Sequence, residues 1–136
     1  MQSNDSALSG IKILVVDDEP DVLEIITLIL MHFHAEVISV AKPDEGLKQV
    51  KMHRPDVIVS DISMPHMEGY QFMRALRKLP LHDGGQTPAI AVTALTRPGD
   101  RTRAFEAGFQ CHLSKPVDMH GLIATIVCAA SRELHA

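Results

Sequence analysis

Short runs of β-branched and aliphatic residues alternate five times with longer stretches of helical spacing along this 136-residue chain. A chain written this way folds with its helices laid over both faces of a parallel sheet. Strands are predicted over residues 11–16, 36–40, 56–60, 89–93 and 110–114, and helices over 20–33, 43–53, 70–79, 99–107 and 119–133. Local signals frame them: Pro20 and Pro43 suit first helical turns, Pro55 precedes a strand, and Gly108 follows a helix. The stretch 80–88, with Gly84 and Gly85, reads as a loop. In the last helix Met119, Leu122, Ile123, Ile126, Val127 and Ala130 make one apolar stripe, predicted to lie on the sheet.

Strand order follows from the apolar pattern, because central parallel strands are covered on both faces and edge strands are not. The first, third and fourth runs are continuously apolar, while the second and fifth are diluted. With right-handed crossovers this gives a doubly wound, flavodoxin-like α/β fold, a five-stranded parallel sheet of order 2-1-3-4-5. Its switch point lies between the first and third strands. Residues 1–10 are expected as a polar tail or linker, 11–130 as the folded domain and 131–136 as a second tail.

A net charge of −4 without any run of Lys or Arg argues against nucleic acid or an anionic membrane as a direct partner. Cys111 and Cys128 lack metal-type spacing and read as reduced core thiols, which fits a cytoplasmic protein. The longest apolar stretch is too short to span a bilayer.

At the carboxyl ends of the first and third strands stand Asp17, Asp18 and Asp61. Neighbouring strands lie about 4.8 Å apart, so these acids converge and require a counter-charge. Oxygen ligands at a strand-end crevice suit Mg²⁺. Taken alone, Asp18 fits a helix N-cap at least as well as a metal ligand; Asp61, before a turn, does not. Thr93 closes the fourth strand and Lys115 follows the fifth. Each has an ordinary use by itself, but the five residues together describe a site where a carboxylate attacks phosphorus beside Mg²⁺.

These residues carry a resemblance. Val15–Glu19, the run from Asp61 to Gly69 (DISMPHMEG), Thr93 with Ala94, and Lys115 with Pro116 occur in the order of the response-regulator receiver domain of two-component signalling, and the chain resembles that family over residues 11–127. The resemblance implies that Asp61 is the phospho-acceptor and that Asp17, Asp18, Asp61 and the backbone carbonyl of Ser63 hold Mg²⁺. It implies that Lys115 binds the phosphoryl group, that Thr93 is the switch hydroxyl, and that the Lys115–Pro116 bond is cis. It also implies a histidine kinase or histidine phosphotransfer domain as donor, a downstream protein partner, and a shift between inactive and active conformations. Such a domain assists its own phosphorylation and dephosphorylation and is not a substrate-turnover enzyme. Kinase activity would belong to it only as part of a hybrid histidine kinase, the alternative to a stand-alone regulator, toward which the 85–94 stretch leans.

Some positions depart from the family or add to it. His112 stands where the family usually has Tyr or Phe. Ser63 and Leu95, flanking the phosphoryl position, are poorly suited to orient a water, so a comparatively long-lived phosphoaspartate is expected. In the first helix Val22, Ile26, Ile29 and Phe33 form a core stripe, while Leu28 and Met31 project elsewhere and are candidates for donor docking. A Mg²⁺ phosphohydrolase of the haloacid-dehalogenase kind would need an Asp-x-Asp loop and a cap insertion, neither of which occurs. A flavin-binding module would need a phosphate-cradling loop where this chain is acidic.

Overall fold

A computed structural model describes residues 6–62, 68–94 and 98–134. Its elements alternate: β1 (Lys12–Val16), α1 (Pro20–His32), β2 (Glu36–Val40), α2 (Pro43–His53), β3 (Val57–Asp61), α3 (Glu68–Arg77), β4 (Ala89–Thr93), α4 (Asp100–Ala107), β5 (Cys111–Ser114) and α5 (Met119–Leu134). The sheet runs β2-β1-β3-β4-β5 with every pairing parallel. Fold class and strand order are as the apolar pattern predicts, with β3 and β4 wholly buried and β2 and β5 partly exposed at the edges.

Alternation along each strand divides the core in two. Leu14, Val16, Ile58, Ala89 and Ala91 face α2, α3 and α4, where Val50, Phe72, Met73, Leu76 and Ala104 meet them. Ile13, Val15, Val59, Ile90 and Val92 face α1 and α5 and pack on Ile26, Leu30, Leu122 and Ile126. The α5 stripe is rotated from its predicted setting: Ala129 is buried, whereas Met119 and Val127 are exposed. Sequence periodicity fixes an arc and not its centre, which the tilt of the helix on the sheet sets. The same rotation leaves Cys128 exposed and Cys111 half-buried, so the expectation of two core thiols fails for Cys128.

The predicted N-terminal tail also needs correction. Leu8 is fully buried in the α1–α5 layer, and its N–H donates to the Phe33 carbonyl over 3.1 Å. One apolar residue in a polar stretch carries no periodicity, so nothing local marks it as core. At the opposite side Arg77, the last residue of α3, donates to the carbonyls of Gly85 (3.0 Å), Thr87 (2.7 Å) and Gly108 (2.8 and 3.0 Å), tying together the approaches to β4 and β5.

Leu8→Ala should lower the unfolding free energy by about 3 kcal/mol, the usual cost of emptying a leucine site in a packed core. Urea denaturation measures it. A change below about 0.5 kcal/mol would restore residues 6–10 to the status of a tail.

Candidate functional site

Every chain-end in the crevice at the carboxyl edge of the sheet is held by backbone. Asp17 follows β1 and its N–H donates to the Val40 carbonyl (3.2 Å); Asp61 ends β3, in register with Val92. Thr93 is the last residue of β4 and fully buried, and its carbonyl accepts the Lys115 N–H over 2.8 Å. The Lys115–Pro116 bond is cis, as the resemblance implies. Gly69, in the first turn of α3, lies against the strand it follows. A Cβ there would come within 2.5 Å of the Ile62 Cα and 2.6 Å of the Asp61 carbonyl oxygen, so only glycine lets α3 start this close behind Asp61.

The side chains meet at Lys115. Its Nζ donates to Asp17 Oδ2 (3.2 Å) and Glu19 Oε1 (3.3 Å) and lies 3.5 Å from Asp61 Oδ2. Oxygens of Asp17, Glu19 and Asp61 all lie within 4.8 Å of one another. Ligands of one octahedral Mg²⁺, at about 2.1 Å, are separated by roughly 3 to 4 Å. The oxygens gathered here are close to that spacing, so the crevice fits such an ion, with the buried pair Asp17 and Asp61 as its fixed ligands.

Burial pushes the Asp17 carboxyl above its ordinary value; the neighbouring Asp61 charge adds to this, against the Glu19 N–H and Lys115, which oppose it. Burial works against the Lys115 ammonium too, but the Asp61 and Asp17 charges, with the hydrogen bonds to Asp17 and Glu19, outweigh it and hold Lys115 above its usual value.

The expected acids are thus only partly gathered. Asp17 and Asp61 converge, and Asp18 does not join them. It is exposed and lines a cleft with Lys42, Asp44, Gln71 and Phe72. In an extended turn successive side chains alternate, so Asp17 and Glu19 share the inner side and Asp18 faces outward. Nor is Asp18 the helix cap: that position is Glu19, whose side chain makes no capping bond. Glu19, absent from the predicted set, was hidden by its place beside Pro20, where an acid reads as favourable to the helix dipole. Ser63 and Leu95 lie outside the described residues.

The chain belongs to the response regulator receiver domain family, whose match covers residues 13–127. It is 38% identical over 119 residues to an uncharacterised 14.6 kDa protein of Leptolyngbya boryana, spanning 88% of this chain and 89% of that one. It is 34% identical over 117 residues to response regulator Rre1 of Synechocystis, covering 85% of this chain but half the length of that relative. The receiver domain of sensor histidine kinase PA1611 from Pseudomonas aeruginosa, solved with magnesium coordinated in its active site cleft, superposes with a TM-score of 0.81 at 28% identity. That match covers 90% of this chain and 99% of the other. This is a signalling domain of two-component systems, and among the described residues no helix is long and apolar enough to cross a membrane.

His112, at the family's aromatic position, lies on edge strand β5 opposite Ala91. Its Nε2 is shut from solvent with no hydrogen-bond partner. Burial depresses its pKa below the ordinary 6.5; the Arg101 charge adds to this and Asp100 opposes it. The unfolded chain therefore binds the proton more readily than the native one, and stability falls as pH drops below about 6.5. His112→Phe should remove that part of the loss: the stability difference between variant and wild type, from urea melts, should grow in favour of the variant between pH 7 and 5. A pH-independent difference would refute the depressed imidazole pKa.

Proposed function

We propose that this domain accepts a phosphoryl group on Asp61 from a phosphohistidine, with Mg²⁺, and thereby switches its hold on a protein partner. The observation that carries the reading is the Lys115 ammonium placed within 3.5 Å of two buried carboxylates from β1 and β3. Asp61 is the carboxylate that gains the substituent, while Asp17 keeps the cation in place.

In the reaction a carboxylate oxygen of Asp61 attacks phosphorus, the phosphorus–nitrogen bond of the donor breaks, and the electron pair returns to the imidazole. By the resemblance Asp17, Asp18 and Asp61, with the Ser63 carbonyl, would hold Mg²⁺, for which Asp18 would have to turn inward from its exposed position. The ion supplies positive charge against the gathered carboxylates and the phosphoryl oxygens. Lys115 then holds one phosphoryl oxygen and the Thr93 hydroxyl another. Movement of Thr93 carries the change to α4, β5 and α5, where His112 is packed.

The donor is a histidine kinase or a histidine phosphotransfer domain. An apolar groove of about 470 Å³ runs from Val22, Ile25 and Ile29 of α1 to Pro116 and Val117, and Lys115 lies in its wall. Leu28 and Met31 of the same helix are more than half exposed. A helix seated there would bring its histidine to the phosphoryl-accepting rim. The same chemistry serves a stand-alone regulator and the receiver of a hybrid kinase.

Incubation with acetyl phosphate and Mg²⁺ should add one phosphoryl group by mass spectrometry, and Asp61→Asn or chelation of the metal should abolish it. Release of phosphate without accumulation of the adduct, persisting in Asp61→Asn, would point to a hydrolase instead. With a phosphorylated phosphotransfer domain that labels the wild type, Leu28→Ser should slow transfer about tenfold relative to transfer from acetyl phosphate, as expected for loss of an apolar anchor. An unchanged ratio would remove α1 from the docking surface.

A further inference from the structure

Lys115 has three N–H donors, and three carboxylates surround it. Two of them are fixed. Asp17 is buried, with its second oxygen accepting the Glu19 N–H at 2.9 Å, and Asp61 is buried at the end of β3. The third, Glu19, is 62% exposed at its side chain, and among the described residues its carboxylate is held only by Lys115. The alternation of the turn points it inward, but no bond to the helix holds it there. Glu19 is the N-cap of α1, a site favouring Ser, Thr, Asp or Asn, and its side chain makes no bond to the helix. The ammonium is therefore saturated before any phosphoryl group arrives.

We propose that Glu19 is a displaceable counter-ion that occupies the phosphoryl-binding donor of Lys115 in the unphosphorylated domain and swings into solvent when Asp61 is phosphorylated. The inference rests on the receiver reading above and adds a positioning residue to it. A phosphoryl oxygen on Asp61 needs one Lys115 N–H; Asp17 and Asp61 cannot retreat from a closed crevice, whereas Glu19 has a flexible stem and open solvent beside it. Glu19 thus sets how readily the site accepts its group and stabilises the empty state, because each displaced ion pair has to be replaced by a new one. The same negative charge also deters dianionic donors that lack a metal to neutralise them.

The test compares wild type, Glu19→Gln, Glu19→Ala and Asp21→Asn. Asp21 is exposed in the first turn of α1, so its variant makes the same change of charge as Glu19→Gln, away from Lys115. At saturating Mg²⁺ both Glu19 variants should be phosphorylated by acetyl phosphate about three- to fivefold faster than wild type and should bind beryllofluoride more tightly by a similar factor, the range of an exposed ion pair. Asp21→Asn should stay within about twofold on both measures. Beryllofluoride affinity is the decisive readout, since it reports competition for Lys115 without turnover. Gains no larger than those of Asp21→Asn overturn the proposal. So does slower phosphorylation with weaker Mg²⁺ binding in the Glu19 variants, which would make Glu19 a metal ligand. If the wild type neither takes the label nor binds beryllofluoride, the receiver reading itself has failed; a competent wild type with indifferent Glu19 variants sinks only the counter-ion.

Discussion

Two carboxylates that would repel each other are held side by side in a buried crevice by one ammonium. At an effective dielectric near 20, unit charges about 4 Å apart interact by roughly 4 kcal/mol, a large part of the stability of a domain this size. Asp17 and Asp61 cannot be neighbours without Lys115, and Lys115 cannot be buried without them. The arrangement leaves the site short of positive charge rather than balanced. In the proposed function a divalent cation would supply that missing charge, and a transferred phosphoryl group would take over donors already in place.

The sheet makes that convergence possible. Asp17 and Asp61 are adjacent because β1 and β3 pair directly while β2 is sent to the far edge, which opens the crevice between them. Lys115 comes from two strands away, and its backbone is fixed by the Thr93 carbonyl, so the ammonium arrives at a set height above β4. Below the site the packing is close. Gly69 allows α3 to start against Asp61, and Arg77 at the other end of that helix binds the loops that lead into β4 and β5. The rim is thus closely packed where it holds charges, and beside it an apolar groove opens along α1.

Exposed apolar residues are concentrated on α1, and a half-buried imidazole whose Nε2 lacks a partner sits on edge strand β5. The two features lie on opposite sides of the crevice. One suits the approach of a donor helix beside Lys115 and Pro116. The other suits a readout, since no hydrogen bond at Nε2 has to break when β4 moves.

The order of elements and the strand order were legible because parallel strands covered on both faces need unbroken apolar runs, and edges do not. The places of Asp61 and Asp17 were legible for the same reason, since an acid directly after such a run has to stand at the strand's end, and that of Lys115 because it follows the last, edge strand. Asp18 and Glu19 were not separable by type, since which of two neighbouring acids turns inward depends on the pleat of a turn that only the folded chain defines. Leu8 and Cys128 escaped because one residue has no period, and because periodicity gives the width of an apolar arc without its orientation. Local composition thus determined which elements form and which residues end them. The partners of each charge, and the face each helix gives to the sheet, were decided by tertiary packing, because Coulomb attraction and close contact act through space between residues that lie as many as 98 positions apart in the chain.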